Sequence, residues 1–518
     1  MTTATVRRSL LGAGLLAFLS CAHAAAKHVV VVVWDGMRPD FVSEQATPNL
    51  FALAHRGVFF KNHHSSFVTS TEVNGTVFAT GRYPAHSGII ANIEYRPAID
   101  PLRLVAVESP AVIHRGDELS SGHYLRAPTL AEILRGNHPA LRTAIAGAKA
   151  VALLLDRRPP SSTTEEPMLV EGEAFPVATK AALVARFGEF PPAGDTKAAR
   201  DTWTTRALLE NLWGPEIPAY THLWLAEPDW AQHHTGPGSA TSLAAIADCD
   251  QQLGRVLDEL ARRHALDDTD ILVVSDHGFS TIERNADLAV DLSTAGITTA
   301  RAYTQAPANG TVLVAGLGAS AGLYVANHDD AVIRRAVAFL QTQDYSGVIF
   351  TREGIEGTFP LSLAKVDSAD APDILVALRW SEAASATGTP GLEISEQGAG
   401  RKAGQGTHAG LSPFDLHNTL IAAGPDFRKG FADTLPSGNV DVAPTILWIL
   451  GVTPPQPMDG RVLSEALTIA APAVGAPSQR REENRVTREH GTWEQFLEIS
   501  EVNGVRYFDA GNGALRKK

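Results

Sequence analysis

Apolar residues follow two rhythms along this chain. Short unbroken runs at 28–34 (HVVVVVW), 221–226 and 270–275 read as strands buried on both faces, because a strand with one wet face would alternate. Other stretches carry helical spacing. Residues 242–263 place Leu243, Ile246, Leu253, Val256, Leu257 and Leu260 on one stripe. Helices are also expected at 48–56, 71–80, 129–134 and 202–212, and a strand within 142–155. Strands alternating with helices predict an α/β fold with a mostly parallel central sheet flanked by helices.

The pattern divides the chain into segments. A first core part is expected at 25–283. Residues 284–400 break the alternation and read as an inserted α+β cap, in which 319–352 runs strand, helix, strand. Residues 381–406 are rich in Gly, Ala and Ser and are expected to be a flexible loop returning to the core. A second core part at 401–470 holds a strand near 418–423 and a helix near 440–450. Residues 471–518 form a polar C-terminal extension with RREENR at 480–485, and a hairpin is expected across Val502-Asn503-Gly504. No internal repeat is visible.

Residues 1–24 read as an export signal. Arg7 and Arg8 precede an apolar stretch too short to span a bilayer, and Ala22-His23-Ala24 offers a small-x-small cleavage site. The expected location is periplasmic or secreted. The arginine pair weakly resembles a twin-arginine signal, and Cys21 sits in a poor lipoprotein context. Cleavage would leave 42 basic and 57 acidic residues, a net charge of −15, and Cys249 alone, so no intrachain disulfide could form. So acidic a chain lacks the basic face of a nucleic-acid-polymer binder. It still admits an anionic small-molecule substrate, since bound metal ions reverse the local field. No later segment is apolar enough to span a membrane, and oligomeric state is not legible.

The chemistry lies at the ends of the buried runs. Asp35, Asp229 and the pair Asp276-His277 each follow an apolar strand, and ligands of open α/β sheets bind at the carboxyl ends of strands. His233 lies four residues after Asp229, one helical turn. His408 stands in GTHAG. Each fragment alone has an ordinary reading as a cap, a turn residue or a buried histidine. Together, three aspartates and three histidines suit a pair of divalent metals, and oxygen with imidazole ligands favours zinc. Thr71 sits at an expected helix start, where backbone N–H groups attract an anion. Metal coordination would activate its hydroxyl as a nucleophile. Thr69 and Ser70 compete locally for that role. Asn92 could donate its amide to a phosphoryl oxygen. His63, His64, His86 and His417 are not needed for this set, and His234 could exchange with His233. Asp250 and Asp441 read as solvated or capping.

These motifs in this order resemble the alkaline phosphatase superfamily, within it the type I phosphodiesterase/nucleotide pyrophosphatase family. The resemblance covers about 28–280 and 400–462. It rests on Asp35-Gly36-Met37-Arg38, Thr47 to Leu50, FVTSTEVN around Thr71, Thr80 to Pro84, Gly88 to Asn92, Asp229/His233, Asp276/His277 and His408. It implies one zinc on Asp229, His233 and His408, and a second on Asp35, Asp276 and His277 with Thr71 as nucleophilic ligand. It further implies a phosphothreonine intermediate that water hydrolyses, with Asn92 holding transition-state charge. Three positions depart from the pattern: Val68 replaces a proline, Ser87 a histidine, and Glu72 follows the nucleophile where relatives carry a base-stacking phenylalanine. Glu72 is thus expected beside the substrate, where a carboxylate would repel an anionic ligand. The implied activity is an exported metal-dependent phosphoric ester hydrolase. The alternatives are a phosphonate or phosphomonoester hydrolase on the same metals, or a non-catalytic metal-binding exoprotein. A sulfatase lacks its Cys/Ser-x-Pro-x-Arg segment here.

Overall fold

The computed structural model describes residues 26–137, 141–158 and 166–517. The signal segment expected at 1–24 lies outside the described residues. Nine strands form the main sheet in the spatial order Phe431–Asp433, Val58–Phe60, Leu420–Ala423, Thr269–Val274, His28–Asp35, Tyr220–Pro228, Thr143–Gly147, Met168–Val170 and Glu173–Phe175. The pairings of His28–Asp35 with both neighbours are parallel, as are those of Thr143–Gly147 with Tyr220–Pro228 and Met168–Val170. Leu420–Ala423 runs antiparallel to its neighbours. The mostly parallel α/β sheet expected from the sequence is therefore present.

The valine run explains the layering. Val29, Val31 and Val33 pack into one core with Phe78, Leu130 and Ile446, while Val30, Val32 and Trp34 pack into another with Leu53, Trp203, Leu253 and Val256. Because successive side chains of a strand point to opposite faces, a run with no polar interruption requires helices on both sides. Thr71–Thr80, Leu130–Asn137 and Val442–Ile449 cover the first face. Pro48–Arg56, Ala198–Ala207 and Ala240–Arg262 cover the second. Full burial of a valine contributes about 1.5–3 kcal/mol, so this strand anchors the sheet. Asp250 adds a polar anchor: it is buried rather than solvated and accepts the N–H groups of Asn49 and Leu50 at 3.0 and 2.9 Å, capping the helix Pro48–Arg56 from a distance. Among the described residues no helix is long and apolar enough to cross a membrane.

After Ser280 the chain leaves the main sheet. A six-stranded sheet runs Thr299–Ala300, Val312–Gly316, Ser320–Val325, Ile374–Leu378, Ser346–Thr351 and Phe359–Pro360, with the helix Asp330–Leu340 contributing to its core. A four-stranded sheet runs Trp380–Ala384, Pro390–Glu396, Ser280–Ala286 and Gly406–Thr407. The second of these corrects the flexible loop expected at 381–406. Leu392 to Glu396 pairs in parallel with Thr281 to Ala286, and Glu393, Ile394, Ser395 and Glu396 are buried. The alternation Leu-Glu-Ile-Ser carried a strand signal that the surrounding small residues masked.

The C-terminal residues build a three-stranded antiparallel sheet of Ser478–Arg488, Gly491–Val502 and Val505–Lys517. Asn503 and Gly504 turn the chain with positive φ of 51° and 81°, the conformation for which Asn-Gly is suited. Its outer strand is polar and largely exposed, but the middle strand buries Trp493, Leu497 and Ile499 against the six-stranded sheet. Tyr507 donates its hydroxyl to the buried Asp441 at 2.7 Å, so Asp441 is an internal acceptor and not a solvated surface group. Trp493→Ala should lower stability by about 3–5 kcal/mol through the cavity it leaves, read as a lower urea midpoint. An unchanged midpoint would show that this sheet is not part of the cooperative core.

Candidate active site

Strand register builds this site. Val33 lies opposite Val274 on one side and Trp224 on the other, and Trp224 lies opposite Gly147. Two residues past that common row the chain reaches Asp35, Asp276 and Lys149, delivered from three parallel strands to one edge of the sheet. Asp229 opens the helix Asp229–Thr235 directly after the strand Tyr220–Pro228, and His233 follows one turn later. Gly36 makes the turn after Asp35 with φ +73°. A Cβ there would lie 3.3 Å from the Asp229 backbone and 2.8 Å from Phe279, so only glycine lets the two segments approach.

The six expected ligands converge. His233 Nε2 lies 3.1 Å from Asp229 Oδ1 and 3.2 Å from His408 Nε2, and His408 Nε2 lies 3.6 Å from the same Asp229 oxygen. On the other side His277 Nε2 lies 3.3 Å from Asp276 Oδ2 and 3.7 Å from Asp35 Oδ1. Each ring is tied by its second nitrogen to a backbone carbonyl: His233 Nδ1 to Gly406 at 3.0 Å, His277 Nδ1 to Gly278 at 2.9 Å, His408 Nδ1 to Thr69 at 2.8 Å. A neutral imidazole bonded this way turns its Nε2 lone pair inward. Burial pushes His233 down to about 4 and His408 well below the usual range, which keeps both rings neutral. His234 does not exchange with His233. It is exposed, with Nδ1 bonded to the Trp230 carbonyl at 2.7 Å.

The carboxylates are held just as firmly. Trp224 Nε1 donates to Asp35 Oδ2 at 2.8 Å, and the Gly36 N–H donates to Asp276 Oδ1 at 2.9 Å. The remaining oxygens, Asp35 Oδ1, Asp229 Oδ1 and Asp276 Oδ2, are buried with no hydrogen-bond donor. Those atoms and the inward Nε2 lone pairs form a cluster made only of acceptors. Two overlapping groups, Asp229/His233/His408 and Asp35/Asp229/His277, have the proximity a metal ion needs. Burial, and then the neighbouring Asp276, push Asp35 well above the ordinary carboxylate range, while the ammonium of Lys149 favours the charged form of Asp229 against the cost of burial. The positive charge present is insufficient for all three carboxylates, and divalent cations fit that deficit.

Thr71 starts the fully buried helix Thr71–Thr80. Its Oγ1 lies 3.4 Å from His277 Nε2. Gly75 lets this helix press against Val151, since a Cβ there would lie 2.4 Å from the valine side chain. Asn92 Oδ1 accepts the Glu72 N–H at 3.3 Å. Thr71 and Asn92 share the wall of a cavity of about 570 Å³ with Asp229, His233 and His408. Gly316, Leu317 and Gly398, from the segment that follows the first core part, and Arg401 also line it. Glu72 is not on that wall. It is buried, and desolvation with Glu108 beside it raises its carboxyl to about 8.

Sequence patterns missed the cations. Lys149 Nζ lies 2.9 Å from Asp35 Oδ2, 3.0 Å from Asp229 Oδ2 and 3.2 Å from Thr71 Oγ1. Its position two residues past a buried strand carried the same signal as Asp35. Lys197 and Arg401 also line the cavity and come from segments without such a signal. Of the other histidines, exposed His86 pairs with Asp459 at 2.7 Å, and His63 holds Asn439, which donates to the Asp276 carbonyl at 2.7 Å.

The family model for type I phosphodiesterase/nucleotide pyrophosphatase matches residues 29–408. Ectonucleotide pyrophosphatase/phosphodiesterase family member 7 of Rattus norvegicus is 24% identical over 261 residues, which is 50% of this chain and 51% of the relative. The chain thus matches about half the length of that protein. Among solved structures, murine ectonucleotide pyrophosphatase/phosphodiesterase 5, in an inactive form with AMP, superposes with TM-score 0.60 at 17% identity, over 85% of this chain and 100% of that one. The human counterpart gives 0.59 with the same identity and coverage. These likenesses establish the fold.

Trp224→Phe removes the N–H that orients Asp35 while keeping an aromatic ring in the core. It should weaken metal affinity about 10- to 100-fold, measured by competition with a chromogenic chelator. Unchanged affinity would mean that this bond does not position the ligand.

Proposed function

The chain belongs to the type I phosphodiesterase/nucleotide pyrophosphatase family, and on that premise we propose that it is a two-zinc hydrolase of phosphoester or phosphoanhydride bonds in a small substrate, with Thr71 as nucleophile. The observation that carries this reading is the acceptor-only cluster around Thr71: three donorless carboxylate oxygens facing three inward Nε2 atoms. Asp229, His233 and His408 would hold one zinc, and Asp35, Asp276 and His277 the other. Bound there, the metals would supply Lewis-acid stabilisation of phosphoryl charge and favour the ionised hydroxyl.

This chain's residues then divide the work. Thr71 Oγ attacks phosphorus in line with the leaving group; the Oγ–P bond forms as the bond to the leaving oxygen breaks, and the threonine proton passes to solvent. Water attacks the phosphothreonine from the side vacated by the leaving group and restores Thr71. Asn92, whose Oδ1 accepts the Glu72 N–H, would donate its amide to a phosphoryl oxygen. Lys197 and Arg401 add positive charge along the cavity. AMP in the murine relative's structure and the pyrophosphatase/phosphodiesterase names of the relatives support a phosphorylated substrate. An exported location rests on residues 1–24.

Lys149 favours a second reading, a phosphomonoester hydrolase. Its ammonium stands 3.2 Å from the nucleophile oxygen. A terminal phosphoryl group carries one more negative charge than a diester, so an additional cation at the reacting atom favours the monoester.

Zinc-loaded protein should hydrolyse bis-p-nitrophenyl phosphate faster than p-nitrophenyl phosphate, and Thr71→Ala should abolish turnover on both while keeping most of the metal. Retained turnover in that variant would overturn the role of Thr71. Lys149→Ala, assayed at matched zinc occupancy, should lower kcat/KM on the monoester by about 10- to 100-fold, the range of a hydrogen bond to a charged group. Equal losses on monoester and diester would remove the second reading.

A further inference from the structure

We propose that His64, His417 and Asp509 form an additional zinc site, separate from the catalytic cluster, that pins the C-terminal sheet to the core. One ligand atom from each of these residues lies within 4.8 Å of the others. They come from three places: His64 from the short strand His63–His64, His417 from the segment just before Leu420–Ala423, and Asp509 from the last strand, Val505–Lys517.

His64 Nδ1 donates to the Ser437 carbonyl at 2.8 Å. His64 Nε2 lies 3.0 Å from Asp509 Oδ1, so a metal ion bound here would take the place of the proton between them. His417 stands beside it with ring centroids 4.5 Å apart and offers one ring nitrogen to the group. Ser500 Oγ lies 3.0 and 2.8 Å from the two Asp509 oxygens and orients the carboxylate. Tyr507 stacks on His64 at 5.5 Å and fixes its plane.

Two imidazoles and one carboxylate make a zinc donor set of the type in which water supplies a fourth ligand. His64 is 1% exposed while the Asp509 side chain is 18% exposed, so one side opens to solvent for entry. The last strand already bonds the core through Tyr507 and Asp441. A metal there would make that attachment depend on zinc as well.

The test is zinc content per folded chain after exhaustive dialysis, by mass spectrometry, for the full-length protein and for Asp509→Asn and His417→Gln. Each variant should hold one equivalent less than the parent, keep Thr71-dependent turnover, and lose part of the drop in melting temperature that a chelator causes. Equal zinc content in parent and variants would overturn the proposal and leave a hydrogen-bonded cluster. The difference does not depend on how many ions the catalytic cluster holds; Asp229→Asn reports that number separately. If both variants fold poorly, a crystal of the parent measured at the zinc edge decides: an anomalous peak between His64 and Asp509 supports the site, and its absence at full catalytic occupancy overturns it.

Discussion

At the strand ends the Nε2 atoms of His233 and His408 face each other at 3.2 Å beside a donorless Asp229 oxygen, and donorless oxygens of Asp35 and Asp276 lie beside His277. Acceptors brought so close in a desolvated interior repel unless positive charge lies among them. Much of the surrounding structure serves to hold these groups against that repulsion. Backbone carbonyls fix the rings, Trp224 and the Gly36 amide fix two carboxylates, and Lys149 supplies part of the missing charge. The protein concentrates electrostatic strain in this cluster, and the valine-rich strand beneath supplies the stability that tolerates it.

The convergence of Asp35, Asp229, Asp276 and His277 was legible in the sequence because each stands at or just after the end of a strand whose apolar run announces itself, whereas His233 and His408 were legible only through their spacing and motif. Thr71 was legible through its helix start and the family motif around it. Lys149 was hidden because the pattern at 142–155 gave a strand without fixing where it ended. Lys197 and Arg401 depend on how distant segments fold back, which no local period encodes. For Glu72, the motif fixes its place beside Thr71 in the sequence but not its burial, which raises its carboxyl.

The fold shows the same division. Long buried runs and amphipathic helices placed the main sheet and its two helical layers. The strand Pro390–Glu396 was obscured by small residues around a four-residue alternation, and its identity rests on parallel pairing with Ser280–Ala286. The C-terminal sheet reads as polar because its outer strand is exposed, although its middle strand buries Trp493, Leu497 and Ile499. Composition averages such a sheet, whereas packing distinguishes its faces.

Because Asp35, Asp276 and Lys149 all lie two residues past one row of paired strand positions, the geometry of this centre is set by counting. A conservative exchange of one buried valine for another aliphatic residue leaves the count intact. Deleting one residue from the strand His28–Asp35 would draw Asp35 back by about 3.3 Å and turn its side chain to the opposite face. In variation among related chains, length changes should therefore be excluded from these strands even where residue identity drifts, and should collect in segments that approach the cavity only from its far side.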